Sequence, residues 1–116
     1  MNVKETLYNT LKSFGYPVFL QGTLNAGEAY PDIFITYFTD DIPDDSHYDN
    51  ETTAWAWNFS VILYANSPEA INTLPEQIRV ALKKKGFIPQ GKGRDIPSDE
   101  PSHTGWAQDY IYRETK

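Results

Sequence analysis

Hydrophobic residues near the N-terminus recur every three to four positions. Their side chains form one apolar stripe made of Val3, Leu7, Leu11 and Phe14. This period predicts an amphipathic helix. Asn2 is a suitable N-cap, and Gly15 followed by Pro17 should end the helix.

Further along the chain, apolar and polar residues alternate, which is typical of strands. The longest such segment covers residues 52–65 and places Trp55, Trp57, Phe59, Val61 and Leu63 on one face. We expect this face to lie in the core. The opposite face is mixed, which predicts a sheet surface that is open to water or covered by a partner. Shorter strands are predicted at residues 18–21, 32–38 and 106–113.

A second helix is predicted before the last strand, but its start is ambiguous. Ser67-Pro68-Glu69 is a helix start, and Thr73 to Glu76 has the capping-box pattern with Pro75 inside it. These signals predict one short turn and then a helix over residues 74–85. A polar, Gly- and Pro-rich loop is predicted for residues 90–103.

This order of elements predicts a single α+β domain over residues 1–116. We expect a two-layer sandwich in which two helices pack on one face of a mostly antiparallel sheet of four to five strands. The chain of 116 residues carries a net charge of −6 and has no cysteine. Disulfides and cysteine chemistry are therefore excluded. Specific nucleic-acid binding is disfavoured because few cations are available to displace counterions.

Neither a signal peptide nor a membrane-spanning run is recognisable in the sequence. The N-terminus opens directly into the amphipathic pattern, and the apolar runs are too short to cross a bilayer. We therefore expect a protein made in the cytoplasm with no membrane partner.

A cluster of acidic residues lies between the second and third predicted strands. It comprises Asp40, Asp41, Asp44, Asp45, His47, Asp49 and Glu51. Oxygen-rich clusters can bind divalent cations. The spacing does not match an EF-hand loop, however, since the required glycine is absent and Pro43 interrupts the segment. A solvated or docking loop is the favoured interpretation, with no metal and no cofactor.

The residue types suited to catalysis lack matching partners. His47 and His103 have acids nearby in sequence, but no nucleophile motif accompanies them. The segment Gly91-Lys92-Gly93-Arg94 lacks the spacing and the following helix of a phosphate-binding loop. We therefore predict no catalytic residues and no enzymatic activity. The candidate protein-interaction residues are Asp40, Asp41, Asp44, Asp45, His47, Asp49, Glu51, Lys92, Arg94, Asp95, Asp99 and His103.

Several segments together resemble a family of small proteins from tailed phages and prophages of Gram-positive bacteria. They include Asp32-Ile33-Phe34-Ile35-Thr36-Tyr37, Trp57 to Tyr64 with Ser67-Pro68, Leu82 to Phe87, Gly91 to Asp95, and Ser102-His103-Thr104-Gly105-Trp106; Tyr16 to Phe19 and Asp44 to Glu51 also contribute. This family belongs to the head–tail joining and tail-completion group of siphophage proteins. The resemblance covers most of the chain and lies in pattern and order.

The resemblance implies a structural role in the virion. Tail terminators of this kind assemble as a ring, typically a hexamer, at the end of the tail tube, although a subunit can be monomeric in isolation. The implied partners are other copies of the chain, the tail tube protein and the head connector or stopper. Charge patterning gives a parallel expectation: the acidic loop and the basic residues Lys92 and Arg94 suit head-to-tail contact between copies.

Two other classes of function stay open from the residues alone. A metal-dependent phosphoesterase or nuclease would need the acidic cluster at residues 40–51 to converge with His103 around a divalent ion. An acidic decoy would bind a basic host protein in a salt-sensitive complex.

Overall fold

The computed structural model describes residues 2–20, 31–40, 44–48, 51–97 and 102–115, and they form an α+β fold. Within these residues there are two helices, α1 (Val3–Lys12) and α2 (Pro68–Lys84), and six strands. The strands are β1 (Val18–Leu20), β2 (Ile33–Thr39), β3 (Asp44–Tyr48), β4 (Glu51–Ala65), β5 (Ile88–Ile96) and β6 (Thr104–Thr115).

The strands form one mixed sheet with the order β1-β2-β4-β6-β5, and β3 also pairs with β4. Only β1 and β2 are parallel; the other described pairs are antiparallel. Strand β2 pairs with residues 59–65 of β4, whereas β3 pairs with residues 51–55. Because β6 occupies the other edge of β4, β2 and β3 lie end to end along one edge. The sheet is therefore five strands wide. At one of these positions, the two short strands β2 and β3 lie end to end beside the long strand β4.

Helix α1 forms where the apolar stripe predicts it. The Asn2 side chain accepts hydrogen bonds from the backbone N–H groups of Lys4 at 2.9 Å and Glu5 at 3.3 Å, and so caps the first turn. The stripe residues Val3, Leu7 and Leu11 are buried. The prediction of this helix is confirmed.

Both helices pack against the same face of the sheet, which we call the helical face. The core beneath them takes alternate residues of β4, including Phe59, Val61 and Leu63, together with Leu82 of α2 and Phe87. Trp57 is half-buried at its margin and stacks on Phe59 with 5.8 Å between ring centroids. The predicted alternation along β4 is thus confirmed for residues 57–63. The side chain of Trp55 lies outside the described part.

The opposite surface of the sheet, here called the distal face, carries polar and aromatic side chains. Phe34 stacks on Tyr64 with ring centroids 5.1 Å apart, and Phe19 meets Phe34 edge-on at 6.0 Å. Small and polar residues such as Thr36 and Ser60 are buried between their neighbours. No described helix packs on this face, which agrees with the mixed composition that the sequence shows there.

Helix α2 is one continuous helix and not a turn followed by a helix, so that prediction is wrong. Pro75 lies inside it. Thr73 donates its hydroxyl to the backbone oxygen of Glu69 at 2.9 Å and does not cap a new helix. The buried face of Ala70, Leu74, Ile78 and Leu82 spans the proline. Burial of this face stabilises the helix by more than it loses because Pro75 has no backbone N–H to donate.

The predicted loops at residues 40–51 and 90–103 are also partly wrong. Residues 44–48 form β3, and β4 begins at Glu51. Residues 88–96 form β5, paired with β6. Both segments are polar, so they show no apolar alternation that would identify them as strands. Their backbone hydrogen bonds come from pairing with the long strands β4 and β6.

Candidate interaction surfaces

Strand β5 forms one edge of the sheet and carries the predicted basic residues. Lys92, Arg94 and Asp95 are all exposed. Arg94 Nη1 lies 3.4 Å from Asp109 Oδ2, and the two side chains are 57% and 41% exposed. An ion pair this accessible contributes about 1 kcal/mol or less to folding stability. We call the exposed side of β5 with Lys92 and Arg94 the basic edge.

An irregularity in the middle of β5 shapes the basic edge. The register with β6 shifts between Gln90 and Arg94, and Gly91 and Gly93 within this step have φ values of 72° and 98°. The buried Gln108 side chain donates to the backbone oxygens of Gln90 at 2.8 Å and Gly91 at 3.2 Å. Its amide group thereby replaces the ladder hydrogen bonds that the bulge removes.

The described residues of the acidic cluster other than Asp40 lie in a different part of the sheet. Asp44, Asp45 and His47 are on β3, and Glu51 is the first residue of β4. We call β3 the acidic strand. Asp41, Asp49 and Asp99 lie outside the described residues.

Asp40 is joined to β4 and β6 and not to the acidic strand. Its backbone N–H donates to the Asn58 oxygen at 2.8 Å. The buried Ser60 Oγ lies 2.9 Å from Asp40 Oδ2 and 2.9 Å from Asp109 Oδ1. A hydroxyl has one hydrogen, so Ser60 donates to one of these carboxylates at a time. The two aspartates border a cleft of about 240 Å³, and Arg94 contacts Asp109 from the β5 side.

His103, which is among the interaction residues predicted from the sequence, is buried in the structure. It is 8% exposed. Its Nε2 donates to the backbone oxygen of Pro31 at 2.7 Å, and its Nδ1 lies 2.8 Å from Ser102 Oγ. The ring also packs near Phe34, with centroids 5.9 Å apart. These contacts hold the start of β6 against the start of β2.

The sheet separates His103 from the acidic groups. Asp40 is bonded beside Asn58, whereas His103 precedes Thr104, which pairs with Ala65. The seven residues from 58 to 65 correspond to about 23 Å along a strand. The acidic strand lies beyond Asn58, beside residues 51–55, and is farther still. Across the described positions, moreover, no group of three or more histidine, aspartate or glutamate side chains is arranged to hold a metal ion.

An open groove between the two helices was not anticipated from the sequence. It has a volume of about 870 Å³ and is lined by residues of both helices, among them Val80 and Ala81, and by Phe14, which follows α1. Val80 is 45% exposed, on the side of α2 away from its buried stripe. An isolated valine on a polar helix face gives little signal, because single exposed apolar residues are common.

Comparisons with known proteins supply no family for the chain. No protein-family model matches the sequence, and no curated protein matches it significantly. Neither of the helices in the described part is long and apolar enough to cross a membrane.

Proposed function

We propose that this protein is a structural subunit of a phage virion, located at the head–tail interface. In this role it ends the tail tube, as a tail terminator or a head–tail joining subunit, and copies of the chain form a ring there. The resemblance of its sequence segments to tail-completion proteins is the starting point of the proposal. Its site of action would be the assembled particle in the bacterial host.

The shape of the sheet is the observation that carries the proposal. The molecule measures 53 × 28 × 23 Å, and its long axis exceeds what the two helices span alone. A helix of 17 residues is about 26 Å long, whereas a strand of 15 residues is about 50 Å long. Strand β4 therefore extends past the helical layer and carries the acidic strand with it. A strand pair that extends past the helices suits contact with a neighbouring subunit.

The distal face supports the same role. Arg94 is exposed on it and contacts the half-buried Asp109, and elsewhere on the same face the buried Phe34 stacks on the half-buried Tyr64. A face that combines aromatic and charged side chains resembles a protein interface, in which a packed centre is surrounded by polar residues. It could seat a tube subunit or a connector subunit.

Electron microscopy of tails made with and without the protein tests this proposal. We expect tails of uniform length that join heads only when the protein is present. Tails made without it should be longer or variable and should fail to join. Normal tail length and normal joining in its absence would contradict the proposal.

A further inference from the structure

Helix α2 carries a row of three exposed residues on the side that faces away from the sheet. The row consists of Glu76, Val80 and Lys84, which are spaced four residues apart and therefore lie on one face of the helix. Val80, at its centre, is 45% exposed. We call this row the outer stripe of α2.

The two charges of the outer stripe lie at equal distances from Val80. Each is one helical turn away, which corresponds to about 6 Å along the axis, so Glu76 and Lys84 are about 12 Å apart and cannot pair with each other. In the described part of the chain, neither side chain takes part in an ion pair or a side-chain hydrogen bond. Both charges are therefore available to a partner.

The order of acid, valine and lysine makes the outer stripe complementary to itself. When a second copy of α2 is laid antiparallel across Val80, its Lys84 lies opposite Glu76 of the first copy. Its Glu76 in turn lies opposite Lys84 of the first copy. A parallel arrangement would bring like charges together, so the charges favour the antiparallel one. The exposed Lys85 follows directly and tolerates a small offset in register.

The groove between the two helices provides space for the second copy. It has a volume of about 870 Å³ and runs beside the outer stripe, with Ala81 in its wall. Rows of residues four apart on one helix pack into the grooves beside such rows on another helix. The small side chain of Ala81 permits close approach, so Val80 of a second copy can be seated next to it.

We infer that two copies of this chain pair through α2, antiparallel, around a two-fold axis at Val80. The inference goes beyond the proposed function, because a ring joins unlike surfaces whereas this contact joins two identical ones and uses neither edge of the sheet. One helix from each copy makes a small interface, so the pairing should be weak. It is therefore measured at high protein concentration.

Cysteine cross-linking tests the position of the axis. The chain has no cysteine of its own, so a single substitution supplies one thiol per copy. In Val80→Cys the two thiols lie at the axis, within reach of a disulfide. Thr73→Cys is the matched control, exposed on the same helix seven residues away. Its two thiols would be about 20 Å apart in the pair.

Oxidised glutathione and non-reducing electrophoresis follow the formation of the linked dimer. We expect Val80→Cys to form it at least about tenfold faster than Thr73→Cys, because only the first geometry allows a disulfide. Equal rates at the two positions would overturn the inference.

Charge exchange tests the antiparallel arrangement. Glu76→Lys and Lys84→Glu each bring like charges together, and each alone should weaken pairing at least about fivefold in sedimentation equilibrium at low salt. An equal mixture of these two variants should pair again, because every lysine then lies opposite a glutamate. The double variant should pair with itself for the same reason.

Matched controls carry the same charge changes on α1. Lys12→Glu and Glu5→Lys are at exposed positions that do not line the groove, and they should leave pairing unchanged. Circular dichroism checks that each variant is folded. A wild type that stays monomeric at the highest attainable concentration, or a mixture of the charge variants that does not pair, would overturn the inference. All these measurements use the purified chain, so their failure would leave the proposed role in tails unaffected.

Discussion

Gly93→Ala is predicted to destabilise the protein strongly. Gly93 has a φ of 98°, a conformation that residues with a side chain rarely adopt. A methyl group at this position would lie 2.5 Å from Trp106 Nε1 and 2.8 Å from the backbone oxygen of Ala107. The oxygen belongs to the β6 ladder and cannot move without breaking strand pairing.

The size of the effect follows from two contributions. A left-handed conformation costs an alanine about 1 kcal/mol or slightly more. Forcing a methyl group into occupied space costs about 1–3 kcal/mol. The substitution should therefore lower the free energy of unfolding by about 2–4 kcal/mol, a large part of the 5–15 kcal/mol that is usual for a domain, roughly speaking.

Gly91→Ala is the matched control, since Gly91 has a φ of 72° but no atom within 4 Å of the added methyl group. It should lose only the conformational part, about 1 kcal/mol. Urea unfolding followed by tryptophan fluorescence measures both variants. If Gly93→Ala costs no more than Gly91→Ala, the close packing of the β5 bulge on β6 is refuted.

Three further predictions concern buried polar groups. His103→Ala should cost about 1–3 kcal/mol in urea unfolding, because the Pro31 oxygen loses its donor; an unchanged midpoint would contradict the structural role. Ser60→Ala should lower the free energy of unfolding by about 1 kcal/mol. This loss should exceed that of Ser13→Ala, because the Ser13 hydroxyl is on an exposed helix end. Equal losses would contradict the hydrogen-bonded cluster around Ser60. Burial raises the pKa of Tyr110 well above its ordinary value of 10.0. The native state thus holds this proton more tightly than the unfolded state. The free energy of unfolding should therefore be unaffected by this group below pH 10 and should fall as the pH rises above it. Tyr110→Phe should reduce that fall in alkaline urea unfolding, and an identical pH dependence would contradict the assignment.

The elements that sequence pattern identifies are those with a buried face. Helix α1 and the faces of β4 follow their apolar periods, because burial of Leu7, Leu11, Phe59 and Val61 decides the local structure. The α+β class could be derived from these elements and their order.

The elements that sequence pattern misses are stabilised by their neighbours. Strand β5 has no apolar alternation, and its glycines indicate a loop when read alone. They are instead required by the bulge, where Gly91 and Gly93 have positive φ. The acidic strand is likewise an edge partner of β4. In α2, the buried stripe holds the helix together across Pro75.

The candidate interaction residues also differ in how far the sequence predicts their surroundings. Lys92 and Arg94 are exposed, but they lie on an edge strand and not in the predicted loop. Burial of His103 could not be foreseen, because its partners are the Pro31 oxygen and the Phe34 ring, far away in sequence. A polar residue between Ser102 and Thr104 gives no signal of such contacts.

Imaging of the tail end at high resolution tests the central claim most directly. Reconstruction of the head-proximal tail end by electron cryomicroscopy should show a closed ring of copies of this chain, seated on the last turn of the tube. Tails that are complete and of normal length but contain no density for this chain at that end would contradict the account.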